Sequence, residues 1–217
     1  YDIVIACYLG LTGLAIVAQP EEVAQASPWS KWAIGYDFKT PVSAQVGMLS
    51  KYIPAFTLSI WAALKHCGLA QGMMLAHFGK RIAEVLFLHD FTGSTTEEGS
   101  TCAVIGVFYA VMAWLFLRAG VQSSHPWIGG TLFCLGQLGN FYHHILLRNL
   151  RKRHSSAGGK KRYFVPEGGL FDLVACPHYF CEIVAWVGAA LVAQSFNTAL
   201  FAFWVSCMLG GRAGITT

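Results

Sequence analysis

Three apolar stretches of the sequence contain ionisable side chains at helical spacing. The first stretch carries four of them at intervals of three and four, namely His77, Lys80, Arg81 and Glu84. Residues at these intervals lie on one face of a helix. Pairing of Lys80 with Glu84 at a helix end is one interpretation. The other is a polar cavity in a membrane, where ionisable groups are costly and mark functional sites.

The second stretch places four polar residues at i, i+4, i+8 and i+11, again on one helical face: Asn140, His144, Arg148 and Arg151. Arginines near a helix end can extend to lipid phosphates. Asn140 and His144 lie too deep in the stretch for that explanation. Together the four side chains are typical of a funnel that admits an anion, such as a nucleotide phosphate, from the cytosol.

The third stretch contains His178, Tyr179 and Glu182 within one and a half helical turns. Pro177 either starts this helix or kinks it, and a purely structural kink is one interpretation. A histidine, a phenol and a carboxylate so close together are also the groups that transfer a proton or polarise a carbonyl.

The elements that carry these residues are predicted to be membrane helices. Of the 217 residues, 55% are hydrophobic and 12% are charged, with a mean hydropathy of +0.49, whereas a soluble domain has about a quarter of its residues charged. The sequence predicts an all-α integral membrane protein with six to seven transmembrane helices. The apolar runs lie at about 2–18, 42–64, 67–88, 102–119, 127–147, 170–194 and 197–210.

Most of the net charge of +4 comes from one basic segment, which holds Arg148, Arg151, Lys152, Arg153, Lys160, Lys161 and Arg162. Nucleic-acid binding is not indicated, because these residues adjoin an apolar helix and lack interleaved stacking partners. By the positive-inside rule the loop after the fifth run is cytosolic. With seven spans, the loops after the first and third runs and the C-terminus are then also cytosolic.

Metal and disulfide chemistry is not indicated. The seven cysteines form an odd set without a CxxC pair, so they predict buried thiols rather than disulfides or a zinc site. His143 and His144 lack the clustered HxxxH and HxxHH boxes of membrane di-iron enzymes, and we predict no metal. The sequence also lacks a GxGxxG motif after a strand, which excludes a Rossmann-type cofactor site.

Three segments carry a resemblance to a known family. Segment 163–182 (YFVPEGGLFDLVACPHYFCE) is similar to the C-terminal signature of the steroid 5α-reductase and trans-2-enoyl-CoA reductase superfamily, and segment 137–151 (QLGNFYHHILLRNLR) resembles a second motif of it. Segment 77–89 (HFGKRIAEVLFLH) is similar to the enoyl-CoA reductase branch with its plant and algal relatives. We assign 66–217 to a reductase core and 1–65, where no motif is found, to N-terminal transmembrane helices and a loop.

The resemblance implies seven transmembrane helices, NADPH bound from the cytosolic side, and reduction of a carbon–carbon double bond conjugated to a carbonyl. It implies that Tyr179 is the hydrogen-bond donor or acid, with Glu84 a second catalytic or orienting group. The positions that match the family's NADPH-holding residues are Asn140, His144, Arg151, Tyr163, His178 and Glu182. Arg148 joins them only because it lies on the same helical face.

The sequence departs from the family pattern at three places. Phe78 stands where many relatives have tyrosine, so a second phenolic donor is expected to be missing from that helix. His178 replaces a common asparagine and matches the plant-type and polyprenol-type branches better. The chain begins at Tyr1 and stops before the family's tail of aromatic and basic residues, so we expect a fragment truncated at both ends.

The leading functional hypothesis is NADPH-dependent reduction of trans-2-enoyl-CoA in very-long-chain fatty acid elongation, because segment 77–89 resembles that branch. Steroid or polyprenol reduction by the same chemistry is the alternative. More distant alternatives are an isoprenylcysteine-type membrane methyltransferase and a non-catalytic lipid-binding scaffold. The expected partners are a lipid substrate, membrane lipids and other elongation-cycle enzymes. The expected location is the endoplasmic reticulum membrane, with the active site open to the cytosol.

Overall fold

A computed structural model of the chain describes residues 39–91, 96–155 and 166–214. Six helices account for most of these residues, and each corresponds to one of the predicted apolar runs from the second to the seventh. The first run, 2–18, lies outside the described residues. The helices are α1 (Ala44–Lys65), α2 (Leu69–Ala83), α3 (Gly99–Ala119), α4 (Pro126–Ser155), α5 (Pro177–Ala193) and α6 (Phe196–Gly214).

Helix α5 is shorter than the sequence predicts, since it begins at Pro177 and not near residue 170. Gly168 and Gly169 have positive φ angles of 87° and 60°, which are incompatible with a continuous right-handed helix. Pro177 then suits the first helical turn, where its missing N–H would have no helical partner. Of the two predicted roles of Pro177, starting the helix is therefore the observed one.

The all-α prediction missed two short strands, β1 (Pro41–Ser43) and β2 (Thr96–Glu98), which pair in antiparallel fashion with Pro41 opposite Glu98. The Glu98 carboxylate accepts backbone N–H groups of Lys39 at 2.9 Å and Thr40 at 3.0 Å. Lys51 of α1 also forms a 2.7 Å ion pair with Glu97. The segments that precede α1 and α3 are thus joined at one end of the helix bundle.

The α3–α4 and α5–α6 connections meet at the other end. The backbone N–H groups of Gln122 and Ser123 both donate to the Val192 carbonyl, at 3.1 and 3.2 Å. Successive connections therefore alternate between the two ends of the bundle, which is the alternation that the predicted topology requires.

Glycines allow close contact within two helix pairs. A Cβ atom on Gly136 of α4 would lie 2.5 Å from the Ala185 nitrogen of α5, and one on Gly106 of α3 would lie 2.5 Å from the Ser50 carbonyl of α1. Small residues at such crossings let two backbones approach, as in membrane helix packing. The pairs α4–α5 and α1–α3 have the most extensive packing of the described fold.

The outside of the bundle is strongly apolar. Large hydrophobic side chains are exposed on several helices, for example Leu64, Leu138 and Phe196, and so large an exposed apolar surface is typical of a protein that contacts lipid. By length and composition, α3 alone among the described helices meets the requirement for a membrane span, with a mean hydropathy of 2.0.

Four of the six described cysteines are buried as the sequence predicts: Cys102, Cys176, Cys181 and Cys207. The prediction is wrong for Cys67 and Cys134, whose side chains are exposed. Cys7 lies outside the described residues.

Candidate active site

The polar face of α2 forms a buried ion cluster around Glu84. The Glu84 side chain is fully buried, and its two carboxylate oxygens bind different cations. Arg81 Nη1 lies 2.6 Å from Oε2, and Lys80 Nζ lies 3.2 Å from Oε1. The predicted Lys80–Glu84 pair therefore exists, but it is part of a larger cluster in which two cations share one carboxylate.

The helix changes geometry at this cluster. Residues Glu84–Leu88 form a π-helical turn, closed by the His89 N–H, which donates to the Glu84 carbonyl at 2.8 Å. Such single turns recur at functional sites, where the extra residue changes the direction of the side chains that follow. Here the His89 ring lies 5.4 Å from the ring of His144 on α4.

Arg81 connects the cluster to two further helices. Its Nη2 donates to the hydroxyl of Tyr52 on α1 at 2.8 Å, and its Nη1 lies 3.2 Å from Nε2 of His144. The guanidinium also lies 5.1 Å from the centre of the Tyr52 ring. Tyr52 was not predicted as a site residue, because no ionisable residue of α1 lies three, four or seven positions from it.

Asn140 connects the cluster to the start of α5. It accepts a hydrogen bond from Lys80 through Oδ1 and donates through Nδ2 to the His178 carbonyl at 2.8 Å. Asn140 is 3% exposed. One amide thus joins α2, α4 and α5 and uses both its donor and its acceptor.

Three imidazoles line one side of the cluster. The His144 ring lies 5.4 Å from His89 and 5.3 Å from His178, and the His178 ring lies 4.2 Å from Tyr179. Burial and the nearby Arg81 guanidinium lower the pKa of His89 from 6.5 to about 4. His89 is therefore neutral at pH 7 and can accept a hydrogen bond on one ring nitrogen.

Tyr179 lies at the edge of this row. Its side chain is half-buried on the first turn of α5, and its hydroxyl is hydrogen-bonded to Arg212 of α6. A cationic donor on a phenol oxygen leaves the hydroxyl proton available to another acceptor. This arrangement suits the predicted role of a donor.

A second buried polar group lies deeper, between α2, α4 and α5. His77 Nδ1 lies 2.9 Å from Gln137 Nε2, and His77 Nε2 lies 3.7 Å from a carboxylate oxygen of Glu182. Trp186 donates to the same oxygen at 3.2 Å. Gln137 was not predicted as a site residue; its contact with His77 joins residues 60 positions apart.

Several buried polar atoms of the predicted cofactor residues lack a protein partner. Among the described residues, six buried side-chain nitrogen or oxygen atoms have no hydrogen bond, and three of them are Arg148 Nε, His178 Nδ1 and Glu182 Oε2. Buried polar atoms nearly always have partners in native structures. Donors and a carboxylate left open in this way fit a polar ligand with phosphate, hydroxyl and amide groups, as NADPH has.

Two predicted cofactor residues remain, Arg151 and Tyr163. Arg151 is exposed at the end of α4 and contributes to the positive charge near His89. Tyr163 lies outside the described residues, so its predicted role stays a prediction.

His143 is buried but faces away from the ion cluster. Its Nδ1 donates to the Gly139 carbonyl at 2.6 Å, and its Nε2 accepts the Leu170 N–H at 3.0 Å. Because a carbonyl only accepts and an N–H only donates, these bonds define a neutral ring. Gly169 has a φ of 60°, and its backbone lies against the His143 imidazole. His143 thus connects this turn to α4.

Glu84, His89 and His144 also bring one possible metal-ligand atom each within 4.8 Å of one another. Both oxygens of Glu84 already bind cations, and Arg81 Nη1 lies 3.2 Å from His144 Nε2. A divalent cation here would lie beside two fixed positive charges, so the charge distribution favours an anion.

Comparison with known proteins supports the sequence resemblance. The family profile of 3-oxo-5-alpha-steroid 4-dehydrogenase matches residues 100–216. The chain is 30% identical to 3-oxo-5-alpha-steroid 4-dehydrogenase 1 of Macaca fascicularis over 196 residues, which cover 81% of this chain and 72% of that protein. The human protein of the same name is 44% identical over 151 residues, covering 65% of this chain and 56% of the human protein.

A relative with a different name matches a shorter part. The very-long-chain enoyl-CoA reductase of Dictyostelium discoideum is 31% identical over 132 residues, covering 58% of this chain and 42% of that protein. The chain thus spans less than two thirds of the human and Dictyostelium relatives.

Proposed function

Because the chain belongs to the 3-oxo-5-alpha-steroid 4-dehydrogenase family, we propose that it reduces a carbon–carbon double bond conjugated to a carbonyl in a lipid substrate, with NADPH as the reductant. Proteins of this family are oxidoreductases that act on carbon–carbon double bonds. The observation that carries the proposal is the coincidence of the unpartnered atoms of Arg148, His178 and Glu182 with predicted cofactor positions beside a buried ion cluster.

NADPH, when bound, supplies a hydride to the β-carbon of the substrate. The residues proposed to hold it are those predicted from the sequence: Asn140, His144, Arg148, Arg151, Tyr163, His178 and Glu182. Arg148 and Arg151 offer positive charge to phosphates at the end of α4. Glu182 and His178 offer a carboxylate and a ring nitrogen for hydroxyl and amide groups.

Negative charge develops on the substrate carbonyl oxygen as the β-carbon accepts the hydride, and the protein must donate to that oxygen. Tyr179 is the proposed donor or acid, since Arg212 binds its phenol oxygen and leaves the proton available. Glu84 is proposed to act as an orienting group. Both its oxygens are occupied by Lys80 and Arg81, so it fixes these cations and is not placed to exchange a proton itself.

Two substrate classes remain candidates. The trans-2-enoyl-CoA hypothesis is supported by segment 77–89, which holds the ion cluster and resembles the enoyl-CoA reductases. The steroid hypothesis is supported by the 44% identity to the human steroid enzyme. Both substrates have a carbonyl conjugated to the double bond, so one site chemistry serves either.

We also propose that all six described helices span the membrane of the endoplasmic reticulum. The alternation of the helix connections between the two ends and the exposed apolar side chains support this. The basic end of α4 would then face the cytosol, on the same side as the β1–β2 pair. Cytosolic NADPH would reach the site from that end.

The test is NADPH oxidation by microsomes that contain the full-length protein, offered trans-2-hexadecenoyl-CoA or a Δ4-3-keto steroid. Tyr179→Phe removes the proposed donor and is expected to lower kcat by about 100-fold, the usual effect of losing one oxyanion donor. Tyr142→Phe is the matched control, because it removes a phenol from the exposed side of α4.

Turnover of one substrate that Tyr179→Phe abolishes and Tyr142→Phe retains would establish the reductase and its substrate class. If the folded wild-type protein oxidises NADPH with neither substrate, the proposal is refuted. The methyltransferase and scaffold hypotheses would then gain weight.

A further inference from the structure

A buried phenol on α1 belongs to the ion cluster. Tyr52 of α1 is 7% exposed, and its hydroxyl oxygen accepts a hydrogen bond from Arg81 at 2.8 Å. Arg81 in turn binds Glu84. Tyr52 therefore joins the ion cluster through a shared guanidinium, although no sequence motif marks it.

The hydroxyl proton of Tyr52 has no acceptor within the described part of the chain. The hydrogen bond from Arg81 occupies an oxygen lone pair, so the O–H bond itself points to another group. Buried donors without a partner are rare in native proteins. A ligand oxygen that binds here would satisfy this donor.

The surroundings of the hydroxyl suit the carbonyl end of an apolar molecule. The Tyr52 ring stacks on Tyr109 of α3 at 5.9 Å, with 4° between the ring planes, and Tyr109 contacts Phe78 at 6.3 Å. These rings from three helices form an aromatic wall. The wall is joined to the ion cluster by the hydrogen bond from Arg81 to Tyr52.

Tyr52 and the proposed donor Tyr179 are connected by a short series of contacts. Arg81 binds the hydroxyl of Tyr52 at 2.8 Å and lies 3.2 Å from Nε2 of His144. The His144 ring lies 5.3 Å from the ring of His178, which lies 4.2 Å from the ring of Tyr179. The two phenols thus lie at opposite ends of the row formed by Arg81 and the two imidazoles.

We propose that Tyr52 is a catalytic residue that donates a hydrogen bond to the substrate carbonyl oxygen, with the adjoining hydrocarbon lying along Tyr109 and Phe78. This inference rests on the proposed reductase function. When hydride adds to the β-carbon, the electrons of the double bond move toward the carbonyl and form an enolate. The Tyr52 O–H stabilises the enolate oxygen and keeps its proton. The α-carbon then takes one proton from water or an acid, and the carbonyl reforms.

The test compares Tyr52→Phe with Tyr142→Phe, which removes a phenol from the exposed side of α4. Full-length protein in microsomes is assayed for kcat with the substrate that the wild-type protein reduces, and NADPH binding is measured separately by its fluorescence. Tyr52→Phe is expected to lower kcat by about 100-fold with unchanged NADPH binding. Tyr142→Phe is expected to remain within about threefold of the wild-type protein.

A second measurement keeps the inference testable if Tyr52→Phe does not fold. Replacement of Tyr52 by 3,5-difluorotyrosine preserves the shape and makes the phenol more acidic. Because only the protonated phenol donates, the alkaline fall in kcat is expected to move to lower pH. The same replacement at Tyr142 is expected to leave the pH profile unchanged.

The outcomes separate this inference from the reductase proposal. An active wild-type protein whose Tyr52→Phe variant retains kcat, or whose fluorinated form keeps the wild-type pH profile, would overturn the role of Tyr52 alone. Equal losses in Tyr52→Phe and Tyr142→Phe would indicate an effect that is not specific to Tyr52 and would overturn it as well. A folded wild-type protein without activity on either substrate would refute both proposals.

Discussion

Replacement of Glu84 by glutamine tests whether the ion cluster holds the helices together. The amide keeps the size of the side chain but removes the negative charge that Lys80 and Arg81 share at 3.2 and 2.6 Å. Both cations then remain buried without a counter-charge. Their side chains are only 15% and 14% exposed, so water compensates little of the loss.

Removal of one partner from a buried ion pair costs about 3–5 kcal/mol, most of it the cost of an uncompensated charge. For a chain of 150–250 residues, 1 kcal/mol lowers the melting temperature by about 2–4 °C. Glu84→Gln is therefore expected to melt about 6–20 °C below the wild-type protein. Thermal unfolding in detergent micelles, followed by tryptophan fluorescence, measures this shift.

The double variant Glu84→Gln with Lys80→Met identifies the cause. It removes one cation together with the carboxylate, so the net charge of the cluster returns to its original value and part of the stability is expected to return. A Glu84→Gln variant that melts within about 2 °C of the wild-type protein would refute the reasoning. A double variant less stable than Glu84→Gln would show that the contacts of Lys80, and not its charge, matter.

Two further predictions concern histidines. The pKa of His89 is lowered from 6.5 to about 4, so between these pH values the unfolded chain binds a proton that the folded chain does not. The free energy of unfolding is therefore expected to fall by about 3 kcal/mol between pH 7 and pH 4. His89→Gln should flatten this part of the pH–stability profile, and an unchanged profile would contradict the assignment. His143→Ala removes the acceptor of the Leu170 N–H and is expected to cost about 1–3 kcal/mol and to speed hydrogen exchange at Leu170. The exposed His125→Ala is its control, and equal exchange at Leu170 in both variants would count against the anchoring role of His143.

The helices with continuous apolar runs could be predicted from the sequence because length and hydropathy suffice for them. Six predicted runs correspond to helices, and the error at α5 came from treating residues 170–176 as helical when only their apolar character was considered. The glycines at 168 and 169 and Pro177 carried the information that the helix starts later. Turn geometry overrides hydrophobicity there.

The site could be predicted where polar residues recur on one helix face. The stripe that contains Arg81 and Glu84 and the stripe that contains Asn140 and His144 do meet in the structure. Their regular spacing is a signal that a single sequence contains. The contact between Tyr52 and Arg81 has no such signal, because the two residues are 29 positions apart on different helices and their contact depends on how these helices pack.

The π-helical turn was also beyond sequence analysis. The segment Glu84–Leu88 consists of a carboxylate and four apolar residues that suit an ordinary α-helix equally well. Around this turn the Glu84 carboxylate binds two cations, and Val85 and Leu88 pack into the core. The sequence of the segment alone does not show these tertiary contacts.

The ion cluster lies between two helix pairs that are each closely packed. Glycines bring α4 against α5 and α1 against α3, whereas α2 approaches α4 and α5 closely at only a few positions. Polar contacts through Arg81, Lys80 and Asn140 cross between the two halves, beside the apolar core that both halves share. In lipid, which does not compete for hydrogen bonds as water does, such contacts are directional. A molecule that exchanged hydrogen bonds with these side chains would change the contacts between the two helix pairs, so that binding at the site would be coupled to the way the pairs meet.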